Sequence, residues 1–358
     1  MLSSALVKKS NLQFSAKYDS KYDIVKFVSS LLVLAIHCQL YPMVLYPWLR
    51  VAVPLFFIMS SFFLFGKLQS ASEDSHKTIL KKFVVRNLQL YLCWLIILFP
   101  VTIYFRRKLW LYNGFFENAL NIVKSVFFES TFKASWFITA TVIGALIIYF
   151  LDKKLKNNYL LFLISIVAFS FVTLASSYKS MVANTFLSMV INKYLDIFGS
   201  IECSYLAAIF WVFIGKLFAE QKIKFKSVPL LVILTLFSCV ALFLEWKFVF
   251  SLDRSYSNDS YFMLAPLCIL LFICIEKIPS FYWDKSIYLK HASTIIYVVH
   301  ASILPIVSKL LFVLFKIEIS LVSFVVTFIC CIVIYIFIEF AVGKCRRHSI
   351  KKVLKMLY

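Results

Sequence analysis

His37 stands near the end of an apolar stretch, Ile24 to Tyr41, with Lys26 eleven residues before it and Asp23 fourteen before it. A neutral imidazole can take a proton from a hydroxyl near neutral pH, and an ammonium can hold a phosphate, so the stretch offers general-base chemistry at one end and anion binding at the other. On a helix, eleven residues at about 100° each return to within roughly 20° of the starting direction, so Lys26 and His37 share a face about 16 Å apart. Asp23 falls about 40° to the other side of that stripe. Ionisable groups in a membrane span are costly and face protein or water, so the line reads first as functional. His37 reads as a general base, with a hydrogen-bonded structural histidine as the alternative. Lys26 reads equally as a point charge for a phosphate-bearing cofactor, with Asp23 tuning it or orienting the approach, and as an interfacial lysine that snorkels.

Further on comes Arg50, followed by VAVPLFFIMSSFFLF. Arg50 is either a membrane anchor or a clamp for an oxyanion or acceptor. Pro54 one turn in frees a backbone carbonyl, and Ser60 and Ser61 add hydroxyls deeper down. Late in the chain, His300 lies about 12 Å inside another apolar run, where it either positions a substrate or a proton or makes an internal helix contact. Lys309 and Glu339 are also intramembrane charges, each near the end of its run, where snorkelling accounts for them. The nine cysteines lack metal or disulfide spacing and read as packing residues, with no metal expected.

These groups need long apolar elements to carry them. The 358 residues are 62% hydrophobic, 18% aromatic and only 15% charged, which excludes a large soluble domain and predicts an all-α integral membrane protein. Ten spans are expected, at 24–41, 51–66, 83–103, 136–151, 159–175, 203–219, 229–244, 261–275, 292–314 and 319–341. They form one transmembrane domain, 23–343, between an N-terminal tail, 1–22, and a basic C-terminal tail, 344–358. With both tails cytosolic, 24 of the 38 Lys and Arg fall on the cytosolic side, 11 outside and three within spans. Topology thus explains the net charge of +21, which is scattered over loops rather than gathered on one face as nucleic-acid binding would require. The 69–76 segment reads as a mobile connector with a solvated His76. Residues 104–135 suggest an interfacial helix, and 176–202 a partial helix lining a cavity. No repeat relates the two halves.

The order YDIVKFVSSLLVLAIHC, LRVAVPLFFIMSSFFLFGKL, KKFVVRNLQLYLCW, SWFITATVIGALIIYFL, FWVFIGKLFA and STIIYVVHASI resembles the acyltransferase-3 family of integral membrane acyltransferases over nearly the whole chain. The basic residue and His of the first span, with the VPxFFxxS block, are its more specific signals. The resemblance implies a ten-span bundle that moves an acyl group, commonly acetyl from acetyl-CoA on the cytosolic side, to hydroxyls of cell-surface or envelope glycans. It maps the family's essential histidine to His37 and its first-span arginine to Lys26, a departure that removes bidentate phosphate contacts. Ser60, Ser61 and Phe62 stand where Ser-Gly-Phe is usual, and Lys81, Lys82 and Arg86 match a basic signature loosely.

The expected function is therefore O-acyl transfer in a bacterial inner membrane. His37 and Asp23 are assigned to catalysis, Lys26, Lys82 and Arg86 to acyl-CoA, and Arg50, Ser60 and His300 to a glycan or lipid-linked saccharide acceptor. A transporter or flippase for a glycan or small anion, and a noncatalytic partner of a glycan synthase, are the competing readings.

Overall fold

The computed structural model describes residues 19–40, 45–112, 114–252, 259–316 and 320–358, so the expected N-terminal tail lies outside the described residues up to position 18. These residues are mostly helical, without a strand among them. In chain order the helices are α1 (Ser20–His37), α2 (Ala52–Gln69), α3 (Glu73–Ile97), α4 (Phe99–Trp110), α5 (Phe115–Phe127), α6 (Trp136–Leu155) and α7 (Asn158–Ala175). They continue as α8 (Phe186–Phe198), α9 (Leu206–Ala219), α10 (Val228–Leu252), α11 (Leu264–Lys277), α12 (Ser286–Phe315), α13 (Ser320–Lys344) and α14 (His348–Leu354). A short helical turn, Tyr46–Leu49, leads into α2.

Among the described residues, six helical segments are long and apolar enough to cross a membrane: Tyr46–Gln69, α6, α7, α10, α12 and α13. The pair α3 and α4 makes a seventh if a bend of 82° is counted within one span. The straight span expected at 83–103 is therefore broken at Leu98. Pro100, at the start of α4, lacks the N–H that would continue the ladder, and its ring opposes the carbonyl four residues back. The remaining three expected spans coincide with helices of a different kind. α1 carries Lys21, Asp23 and Lys26, while α9 and α11 are 14 residues each, about 21 Å long against a hydrocarbon core of about 30 Å.

Burial explains the short α9. Apart from Lys216 it is apolar on every side, and 11 of its residues are buried, because α2, α6 and α7 surround it. α10 is equally apolar but mostly uncovered, with Ile233, Leu236 and Phe237 exposed, as suits a helix facing lipid. The α2–α9 contact is close: a Cβ at Gly215 would fall 1.9 Å from Ser61 Oγ and 2.5 Å from Ile58 O. Ser61 Oγ itself donates back to Phe57 O (2.8 Å) and Ile58 O (3.0 Å), which keeps this hydroxyl on its own helix.

α1 packs against α2 and α12, and its start is tied to the α11–α12 connection. Ser20 N donates to Phe281 O (3.0 Å), Trp283 N donates to Ser20 Oγ (2.7 Å), and Lys21 Nζ donates to Ile278 O (3.0 Å). The far end stops at His37, where Gln39 takes a left-handed φ of 53°. Lys216, in the buried α9, is 1% exposed and reaches Asp152 (2.9 Å), Glu220 (2.7 Å) and Asn158 (2.9 Å), joining α6, α7 and α9. Burial alone would raise the Glu220 carboxyl, but hydrogen bonds from Lys216 and Lys222 bring it below the usual range.

Two smaller expectations are corrected. The connector after α2 is short, since α3 begins at Glu73, and His76 is not simply solvated: Nε2 is 2.9 Å from Leu68 O and Nδ1 is 3.4 Å from the Tyr149 hydroxyl. Glu339 does not merely snorkel, because His291 Nδ1 lies 3.0 Å from its Oε1. The 176–202 segment contains a helix, α8, and its residues do not line the cavity described below.

Candidate active site

The helical face expected for α1 opens onto a cavity of about 1770 Å³. Lys26, Lys67, Lys82, Arg86, Lys290 and Lys355 line it, drawn from α1, α2, α3, α12 and the turn after α14. Its acids are already engaged. Asp19 holds Lys21 (3.3 Å), Glu276 accepts from the Tyr22 hydroxyl, and Asp23 Oδ2 accepts from Ser286 Oγ (3.1 Å). Among the described residues none of the six cations is within 4.0 Å of a carboxylate. Lys26 Nζ stands over the Phe63 ring at 5.2 Å, which steers the half-buried ammonium along the cavity wall. A cluster of like charges repels itself and becomes favourable when a polyanion enters, so this cavity suits a ligand with several phosphates.

One end of the cavity is aromatic. Phe56, Phe137 and Tyr297 line it and pack together, with Tyr297 ring centroids 5.5 Å from Phe56 and 5.1 Å from Phe137. Ser60 also faces this space. Tyr297 in turn touches His300 at 6.2 Å, and His300 touches His37 at 5.0 Å between ring centroids. The two histidines thus meet across the α1–α12 contact.

His300 is fully buried. Its Nδ1 lies 2.8 Å from Ile296 O, and a carbonyl only accepts, so in the neutral ring Nδ1 carries the proton and Nε2 is the acceptor. Among the described residues Nε2 has no partner. His37, by contrast, is exposed at the end of α1, where the charges acting on it come from Arg50, Asp259 and Lys133. Arg50 pairs with Asp259, and its guanidinium lies 4.3 Å from the centre of the Tyr46 ring. Its Nε remains buried without a partner among the described residues.

The expected site residues therefore fall into two groups. Lys26, Lys82, Arg86, Ser60 and Asp23 share the cavity, while His37, His300 and Arg50 gather beyond its aromatic end. Asp23 is about 21 Å along α1 from His37, too far to touch the imidazole. Sequence reasoning did not single out Lys67, Lys290, Lys355, Phe56 or Phe137 for the site. For Tyr297 there was a usable signal, since a residue three before His300 on a helix lies on its face.

An all-helical bundle with several membrane-crossing helices defines a multi-pass membrane protein, with a cationic cavity whose lining residue Tyr297 is in ring contact with one member of a histidine pair. The family model described as an acyltransferase domain, that of the acyltransferase-3 family, matches residues 19–336, and the chain belongs to this family of membrane acyltransferases. Two amino-acid racemases of Enterococcus faecalis are similar to part of it. One is 30% identical over 149 residues, which is 38% of this chain and 19% of the racemase. The other is 28% identical over 109 residues, 30% of this chain and 14% of the racemase. The chain thus spans less than a fifth of the length of these curated relatives. No solved structure matches it.

Proposed function

We propose that the protein transfers an acyl group, acetyl in the simplest case, from acyl-CoA to a hydroxyl of an envelope glycan or lipid-linked saccharide, with His37 as the general base. The observation that carries this reading is the continuity from six cations, through Phe56, Phe137 and Tyr297, to the His300–His37 contact. The diphosphate and 3′-phosphate of CoA match the cations around Lys26, Lys82 and Arg86. The pantetheine arm passes the aromatic end beside Ser60 and presents its thioester to the histidines. His37 takes the acceptor proton as the oxygen attacks the carbonyl; the new C–O bond forms, the C–S bond breaks, and the proton returns to the CoA sulfur. His300, with Nε2 as an acceptor, holds the proton-bearing partner in line, and Arg50 faces the oxyanion or the acceptor from the other side. Asp23 acts at a distance, by fixing the α1–α12 contact through Ser286.

The same reading sets α1, α9, α11 and the bent α3–α4 pair as spans beside the other six, giving ten, with both termini cytosolic and the CoA cavity open to the cytosol of a bacterial plasma membrane. The bias of Lys and Arg supports this sidedness. The test is radiolabelled acetyl-CoA with purified protein and envelope acceptor. Wild type should transfer label, and His37→Ala should lower the rate by about 10²- to 10⁴-fold at normal protein level. Movement of the acceptor across vesicles without consumption of the thioester would favour a transporter instead.

A further inference from the structure

One wall of the cation-lined cavity comes from a part of the chain far from the family's first-span residues. After α13 the backbone crosses through α14 into a 3₁₀ turn, Lys355–Leu357. Three attachments hold this turn against the bundle. Trp94 Nε1 on α3 donates to Leu357 O (3.0 Å), and the Leu357 side chain is 5% exposed. Tyr358 stacks on His291 of α12, with ring centroids 3.9 Å apart and planes at 22°. His291 is itself fixed by Glu339 of α13. Leu357 and Tyr358 account for the docking, but the placement of Lys355 needs a reason of its own.

The cavity supplies one. Lys355, Met356 and Tyr358 line it together with Lys26, Lys82, Arg86 and Lys290. The turn buries its apolar Leu357 against α3 and leaves Lys355 exposed, adding a sixth positive charge where five already repel one another. Packing alone gives no return for that placement, whereas a bound polyanion does. We propose that Lys355–Tyr358 is a strap that closes the acyl donor's site, with Lys355 as a contact for one of the donor's phosphates. This rests on the acyl-CoA reading above. It adds that donor affinity depends on a segment more than 300 residues from Lys26 and on the Trp94 and His291 contacts that hold it.

The test uses the full chain in detergent and CoA itself as the probe. Lys355→Gln should weaken CoA binding about five- to tenfold, as expected for one exposed charge-assisted contact. Trp94→Phe, which keeps the ring but removes the donor to Leu357 O, should weaken it similarly without touching any cation. In a Met356→Cys variant, CoA should slow thiol labelling at position 356, read site by site by mass spectrometry. If wild type binds CoA and all three measurements are unmoved, the strap is wrong while the donor reading stands. If wild type binds no CoA, the donor reading falls and takes the strap with it. Protection of position 356 by anionic phospholipid but not by CoA would also overturn the proposal, since the turn would then close over a lipid headgroup.

Discussion

Replacing His300 by leucine separates a functional histidine from a structural one, because the two roles predict opposite movements of stability and rate. His300 Nε2 is a buried acceptor with no partner among the described residues, and leaving such a group unsatisfied costs about 1–3 kcal/mol. Leucine is of similar size and removes that cost. It also removes the Nδ1–H bond to Ile296 O, a loss of about 0.5–1.5 kcal/mol. Ile296 O keeps its ordinary helix partner, the His300 backbone N–H, so no carbonyl is orphaned. The balance is a protein as stable as wild type or steadier by about 1 kcal/mol, a melting temperature unchanged or raised by about two degrees. Acyl transfer should nevertheless fall about 10²-fold, because the ring against His37 is gone. Thermal unfolding in detergent and labelled acetyl transfer measure the two sides. A melting temperature several degrees lower with turnover retained would refute the reasoning and make His300 a packing residue.

Lys26→Ala should raise the apparent KM for acyl-CoA about tenfold and Lys26→Arg should match or improve on wild type, since a phosphate contact needs the charge and Arg adds a second donor direction; an unchanged KM in the alanine variant would make Lys26 an interfacial anchor. Gly215→Ala should destabilise by about 1–3 kcal/mol through the α2–α9 contact. Adding Ser61→Ala should recover only part of that, because the Ile58 carbonyl still stands 2.5 Å from the new Cβ, and full recovery would show that backbone approach is not the constraint. Tags before Met1 and after Tyr358 should both report from the cytosol while a reporter near Asn113, which lies outside the described residues, reports from the opposite side; introduced cysteines at 70–72 and 110–112 that label from one side would break the ten-span arrangement.

Local periodicity made part of this structure readable. The stripe of Asp23, Lys26 and His37 along one helix was expected from 3.6 residues per turn, and its first two members line the cavity while His37 does not; the long apolar helices α10, α12 and α13 followed from composition. The break at Leu98 was harder, because the apolar run continues unbroken past Pro100 and hydropathy does not register a missing N–H. Apart from Lys216, whose charge would have favoured contact with protein, α9 is as apolar all round as a lipid-facing helix, so hydropathy does not tell the two apart. Pairings across the chain were out of reach for the same reason in each case: Lys216 with Asp152, Glu339 with His291 and Trp94 with Leu357 join residues whose proximity is created only by packing.

The spacing of Lys26 and His37 has a mechanistic consequence that the packing of α1 makes specific. One helix carries both residues, so Lys26 and His37, the proposed anion-binding and proton-accepting groups, are held about 16 Å apart. That separation is maintained at both ends by different contacts. Ser20 and Lys21 bind the start of α1 to the α11–α12 connection and Asp23 binds it to Ser286 at the start of α12, while the other end meets α12 through the His37–His300 contact. On the proposed reading, a donor that spans the cavity would be measured against two points of one helix, with a phosphate near Lys26 setting how far a flexible arm must reach to bring its thioester to His37. Loosening the Ser286–Asp23 contact shifts one end of α1 without altering any group that touches the acyl carbon, so its effect belongs to alignment, which is where a geometry this extended is most sensitive.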